Sequence, residues 1–185
     1  AVMLAAGVLG GDVTVEGLRK DTVQGDAAII GILRDMGADI TETDTGYRAR
    51  KSELTAIEVD ISQTPDLTPV LGVLLSVAKG KGKLLNGKRL RYKESDRIKS
   101  TVALIKDLGG EAYEEGDDIV VVGKERLKGG EAHSHHDHRI AMGIALASLK
   151  SDSTVLLDGY EAVNKSYPEF FKDFEKICAG TPEQG

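Results

Sequence analysis

The chain has 185 residues, of which 41% are hydrophobic and 29% charged, enough to bury a core and too apolar for a disordered segment. Lys and Arg total 24 against 30 Asp and Glu, a net charge of −6, which excludes a surface that is basic throughout but not a local cationic patch. The one cysteine, Cys178, excludes an internal disulfide framework and suits a reducing cytosol, and no apolar run reaches membrane-spanning length.

In chain order, residues 1–9 (AVMLAAGVL) read as the end of a helix already under way, without an initiating Met or the basic start of a signal peptide. A first unit follows, from about 12 to 79: strand, helix, a hairpin turned at Asp44-Thr45-Gly46, strand, helix. The second, 82–149, repeats that order. It has a strand at 83–86 and a helix at 96–108 with Ile98, Val102, Ile105 and Leu108 on one stripe. Strands at 111–115 and 118–122 turn at Glu115-Gly116-Asp117, and a short strand at 130–134 leads to a helix at 138–149. The third, 153–178, has a strand over 153–157 and a helix after Tyr167-Pro168, then stops without its hairpin.

Recurring phrases support the repeat. Leu33-Arg34-Asp35-Met36-Gly37 and Ile105-Lys106-Asp107-Leu108-Gly109 are helix ends closed by glycine, 72 positions apart. Leu85-Asn86-Gly87 and Leu157-Asp158-Gly159 are strand ends at the same separation, with Val15-Glu16-Gly17 a further 70 upstream. The expected fold is a single closed, pseudo-threefold α/β lobe over 1–179 with a frayed tail at 180–185. Its third unit is incomplete, and its missing strands are expected from elsewhere in a longer polypeptide.

Charge is concentrated where strands hand over to helices. Lys79, Lys81, Lys83, Lys88, Arg89, Arg91, Lys93, Arg97 and Lys99 lie within 21 positions. Arg97 falls in the first turn of the helix opened by Ser95-Asp96, where a cation opposes the helix dipole by roughly 0.3–1 kcal/mol. Arg139 repeats the misplacement behind Asp137, a good N-cap. Two such arginines point to a bound phosphate or carboxylate, which a helix N-terminus and a guanidinium fork both favour. Lys165 lies 72 positions after Lys93, and Asp66 lies 72 before His138. If the units close around an axis, all four reach one cleft.

These residues carry a resemblance. Leu90-Arg91-Tyr92-Lys93-Glu94-Ser95-Asp96-Arg97 resembles the Leu-Arg-x-Lys-Glu-Ser-Asp-Arg signature of the 3-phosphoshikimate 1-carboxyvinyltransferase (EPSP synthase) family, and Asp137-His138-Arg139-Ile140-Ala141-Met142 its Asp-His-Arg-x-Ala-Met box. Lys165-Ser166-Tyr167-Pro168 and Val23-Gln24-Gly25-Asp26 fit in the same order. The resemblance implies an inverse α/β barrel lobe of βαβαββ units, the C-terminal one of two. It also implies transfer of the enolpyruvyl group of phosphoenolpyruvate to the 5-hydroxyl of shikimate 3-phosphate, with no metal or organic cofactor. Arg97, Arg139 and Lys165 would then clamp phosphoenolpyruvate. Asp66 would accept the proton of the attacking hydroxyl and touch the shikimate ring, Glu94 would act as acid-base at the methylene carbon, Lys93 and Arg89 would hold shikimate 3-phosphate, and His138 would line the site. The other lobe of the enzyme would be the partner, and the chain alone would be inactive.

The Lys-Glu-Ser-Asp-Arg and Asp-His-Arg boxes speak against the sister enolpyruvyl transferase acting on UDP-N-acetylglucosamine. A nucleic-acid surface at 79–99 has only Tyr92 for base stacking, and neither a nucleic-acid nor a membrane partner is expected. A metal site in His133, His135, His136 and His138 needs convergent ligands, whereas strand alternation would send His136 to the face opposite His133 and His135.

Overall fold

The computed structural model describes residues 1–18 and 25–178; Val23 and Gln24, and the tail expected to fray at 180–185, lie outside them. The helices are α1 (Val2–Gly10), α2 (Ala28–Asp35), α3 (Thr68–Ser76), α4 (Arg97–Asp107), α5 (His138–Ser148) and α6 (Phe170–Cys178). The strands are β1 (Asp12–Glu16), β2 (Asp39–Glu42), β3 (Gly46–Arg50), β4 (Glu58–Asp60), β5 (Lys81–Leu85), β6 (Glu111–Glu115), β7 (Asp118–Val122), β8 (Gly130–His133) and β9 (Val155–Asp158). The expected strand–helix–hairpin–strand–helix order is present in both full repeats.

Three sheets form, ordered β1-β3-β2, β4-β5-β7-β6 and β8-β9. β4 runs parallel to β5 with α3 as the crossover, and β8 parallel to β9 with α5 as the crossover. The repeat is visible at single-residue level. Glu58 pairs with Lys83 and Gly130 with Val155, and the isolated bridges Thr55–Lys79 and Leu127–Ser151 also stand 72 positions apart. The middle sheet is therefore the template: β4-α3-β5-α4-β6-β7 is one whole βαβαββ unit.

The core sits among the crossover helices. Every residue of α3 is buried, as are most of α1 and α5, and each of these three helices touches the other two. Apolar all round, they are inner helices, whereas α2 and α6 bury only two residues each. Leu71, Leu74 and Leu75 are completely buried, each contributing roughly 1.5–3 kcal/mol by leaving water. α4 buries more than the predicted stripe: Leu104 and Thr101 are buried beside Ile98 and Ile105, while Val102 is half-buried. The reason is that α4 packs against α3, α5 and strands of two sheets at once.

Gly46 opens β3 because β1 approaches it so closely; a Cβ there would lie 2.0 Å from the Val15 carbonyl oxygen. The turn before it is closed instead by Thr43, whose hydroxyl accepts the Gly46 amide hydrogen at 3.0 Å. No helix among the described residues is long and apolar enough to cross a membrane.

Candidate functional site

Two capping aspartates and one short turn bring the charged residues to one end of the lobe. Asp96 caps α4, its carboxylate accepting from the Lys99 amide at 3.4 Å, and Asp137 caps α5, accepting from the Arg139 amide at 2.9 Å. Asp66 lies in the 3₁₀ turn Pro65–Leu67 that runs straight into α3. The N-terminal ends of α3, α4 and α5 therefore present Asp66, Arg97, His138 and Arg139 together.

Arg97 is the centre of the cluster, with its side chain only 1% exposed. Its Nε donates to Asp137 Oδ2 at 2.7 Å and one terminal nitrogen to Asp137 Oδ1 at 3.2 Å. That same nitrogen donates to Glu94 Oε2 at 2.8 Å, and the other to Asp66 Oδ1 at 2.5 Å. A cation at the start of α4 opposes the helix dipole and calls for a nearby anion; three carboxylates of the chain itself supply it.

The remaining cations are interlocked with the same acids. Lys93 pairs with Asp66 at 3.3 Å and Lys165 with Glu94 at 3.1 Å, while Arg139 pairs with Asp26 at 3.1 Å and approaches Asp66 at 3.9 Å. Lys93, Arg97, Arg139 and Lys165 thus face Asp26, Asp66, Glu94 and Asp137, a formally neutral set.

Burial pushes the Asp66 carboxyl upward, but hydrogen bonds and charge from Arg97 and Lys93 outweigh it and hold the group below its usual range. Glu94 behaves alike: burial raises it, while its own backbone amide, Lys165 and Arg97 bring it below the ordinary value. Asp137, wholly buried, is driven up by desolvation and still held low by Arg97, the Arg139 amide and Ser95. His138 is pushed below the usual imidazole value by burial and then by Arg139. Two buried polar atoms in the cluster have no hydrogen-bond partner among the described residues, Arg139 Nε and His138 Nδ1. A buried donor without an acceptor is costly, and here it is an arginine nitrogen within the cluster.

Of the residues singled out from sequence, Asp66, Lys93, Glu94, Arg97, His138, Arg139 and Lys165 come together. Arg89 does not join them: it is exposed on the 3₁₀ segment Lys88–Tyr92 and makes no ion pair among the described residues. The basic run is otherwise neutralised. Lys79 pairs with Glu53, Lys83 with Glu115, Arg91 with Asp117 and Glu114, and Lys99 with Asp96, while Lys81 lies over the Tyr113 ring. Among the described residues, Lys88 and Arg89 are the two of the nine with neither an ion pair nor a ring contact.

The histidines behave differently from the alternation expected of them. β8 stops at His133, and His135 and His136 both adopt left-handed φ of 53° and 57° in a turn closed by the Asp137 amide on the Ser134 carbonyl at 3.0 Å. The turn brings both rings to within 5.0 and 5.7 Å of the His133 ring. Even so, no group of three His, Cys, Asp or Glu side chains among the described residues is placed to hold a metal ion. Sequence reasoning treated Asp137 as a cap alone and overlooked Ser95 as a donor to it. The signal was present, since one acid preceding a misplaced arginine is a candidate partner for the other.

Two cavities lie elsewhere, about 510 Å³ between β1 and α6 and about 610 Å³ beside Leu9, Val77 and Lys150, at the far ends of α1, α3 and α5. Neither shares a residue with the cluster.

Fold and site together define a pseudo-threefold α/β lobe whose helix N-termini interlock cations and carboxylates on one face. The chain belongs to the EPSP synthase family: residues 1–174 match the family model described as EPSP synthase (3-phosphoshikimate 1-carboxyvinyltransferase). It is 43% identical over 177 residues to the 3-phosphoshikimate 1-carboxyvinyltransferase of Clostridium kluyveri, covering 96% of this chain and 42% of that protein. Identity to the protein of the same name from Brachyspira hyodysenteriae is 42% over 181 residues, covering 97% and 43%. Among solved structures, an EPSP synthase from Acinetobacter baumannii superposes with a TM-score of 0.79 at 29% identity, covering 96% of this chain and 44% of that one. The chain therefore spans less than half the length of these relatives.

Proposed function

We propose that the chain serves as the C-terminal lobe of an EPSP synthase in the cytoplasm, taking part in transfer of the enolpyruvyl group from phosphoenolpyruvate to the 5-hydroxyl of shikimate 3-phosphate with release of phosphate. The observation that carries this reading is the convergence of Lys93, Arg97 and Arg139 on Asp66 and of Arg97 and Lys165 on Glu94 in a member of this family. The relatives' shared name favours shikimate 3-phosphate over a nucleotide sugar as acceptor.

In this reading Arg97, Arg139 and Lys165 hold phosphoenolpyruvate, and the unpartnered Arg139 Nε is a ready donor to it. Lys93 holds shikimate 3-phosphate, with Arg89 reaching it from the exposed segment. Asp66, ionised at neutral pH, accepts the proton of the attacking hydroxyl. Glu94 is ionised too while Lys165 and Arg97 hold it, so it must gain a proton before it can give one to the methylene carbon. An incoming phosphate that takes over those two cations raises the proton affinity of Glu94, which couples substrate binding to the arming of the acid. His138, neutral beside Arg139, lines the site without adding charge.

The test is a chimera in which this chain replaces the aligned segment of the Clostridium kluyveri relative. The chimera should release phosphate from phosphoenolpyruvate only when shikimate 3-phosphate is present, Glu94→Gln should slow it by roughly 10²–10⁴-fold, and the chain alone should be inactive. A folded chimera that binds both substrates but turns neither over would refute the assignment.

A further inference from the structure

Asp137 caps α5, yet three of its four bonds point elsewhere. It receives Arg97 through two nitrogens at 2.7 and 3.2 Å and Ser95 Oγ at 3.0 Å, besides the Arg139 amide at 2.9 Å. Its side chain is 0% exposed, whereas the side chains of Asp66 and Glu94 are 39% and 27% exposed. The three acids around Arg97 therefore differ in kind. Asp66 and Glu94 border solvent and are shared with Lys93 and Lys165, so each can turn away and keep both water and a cation. Among the described residues Asp137 pairs with no second cation, and its side chain is closed off from solvent.

We infer that Asp137 is a positioning residue: it grips the Nε edge of Arg97 permanently and aims the opposite edge outward, where Asp66 and Glu94 are occupants that a phosphate or carboxylate ligand displaces. This rests on the anion-clamp reading above, which it sharpens by dividing the acids into one anchor and two exchangeable partners. A guanidinium has two usable edges for bidentate pairing. Holding one of them on a buried acid fixes the other before the ligand arrives, so less ordering is needed on binding.

Asp137→Asn and Asp66→Asn separate this from plain electrostatics, because each removes one negative charge next to Arg97. Coulomb attraction alone would tighten anion binding in both. Positioning requires opposite signs: the Kd of the chain for inorganic phosphate, from an NMR titration, rises at least tenfold in Asp137→Asn and falls in Asp66→Asn. Asn is itself a good N-cap, so loss of the α5 cap does not account for the first result. Tighter phosphate binding by Asp137→Asn would overturn the inference.

Hydrogen exchange at Arg97 Nε reads the anchor without any ligand. Protection should persist in Asp66→Asn, disappear in Asp137→Asn and weaken in Ser95→Ala, which serves if Asp137→Asn does not fold. Fast exchange in the unsubstituted chain, or protection untouched by Ser95→Ala and Asp137→Asn, would refute the anchor. A chain that binds no phosphate while Arg97 Nε stays protected would overturn the clamp and leave the anchor standing.

Discussion

Replacing Arg97 with Met keeps the bulk of the side chain and removes the cation that three carboxylates share. Asp66 and Glu94 lose contacts of 2.5 and 2.8 Å but retain Lys93 at 3.3 Å and Lys165 at 3.1 Å, and both border water. The cost therefore falls on Asp137, wholly buried and left with a hydroxyl and an amide. Stripping the partner from a buried ion pair costs about 3–5 kcal/mol, a large part of the roughly 5–15 kcal/mol that holds a domain folded. At 2–4 °C per kcal/mol for a chain of this size, the melting temperature should fall by about 6–20 °C at pH 7. The pH dependence fixes the cause. With Arg97 present, the folded-state value of Asp137 lies below its unfolded value near ~3.9, so its contribution is present above that pH and is lost as pH falls through the folded value. Without Arg97, burial, the largest influence on the group, is opposed by the Arg139 amide and the Ser95 hydroxyl and still raises the folded value. The penalty is then fully present above the raised value and fades as pH falls toward ~3.9. Melting of both proteins at pH 7 and pH 4.5 is the assay. A gap below about 3 °C at pH 7, or one no smaller at pH 4.5, would refute the argument that Asp137 depends on Arg97.

Two further outcomes follow from local geometry. Gly123→Ala places a Cβ 1.7 Å from the Ala78 carbonyl oxygen; because backbone cannot yield as a side chain does, a loss of about 3 kcal/mol or more is expected in urea unfolding, and a shift below 1 kcal/mol would contradict the close approach. His138, held low by burial and Arg139, should titrate below 6.5 in a histidine NMR series. Because it is neutral when folded, stability falls as pH drops below the unfolded value of ~6.5 and continues to fall down to the folded value. His138→Gln should flatten that slope, and a midpoint at or above 6.5 would argue against the buried placement.

Periodicity and turn chemistry reach the elements well, because local physics decides them. The glycine-closed helix ends at Gly37 and Gly109 and the turn at Glu115-Gly116-Asp117 stand where expected. The 72-residue spacing also carried Asp66, Lys93, His138 and Lys165 to one face before any distance was known. Spacing failed where a short-range turn replaced a strand: the left-handed His135 and His136 reverse the chain and undo the alternation that should have sent His136 away from His133 and His135.

By itself, then, the amino-acid sequence determined the repeat, the order of strands and helices, and the arginines standing at the wrong ends of α4 and α5. Those follow from hydrophobic periodicity, capping and the helix dipole, all of which act within a few residues along the chain. Tertiary structure alone decided who neutralises the arginines. Asp137 meets Arg97 across 40 positions and Asp66 meets it across 31, and only packing α3, α4 and α5 together brings those groups to hydrogen-bonding distance. The net charge of −6 is silent on this, being a sum over the chain. The cationic face it seemed to leave room for is an interlocked, neutral set, with one acid buried beneath Arg97 and two bordering solvent.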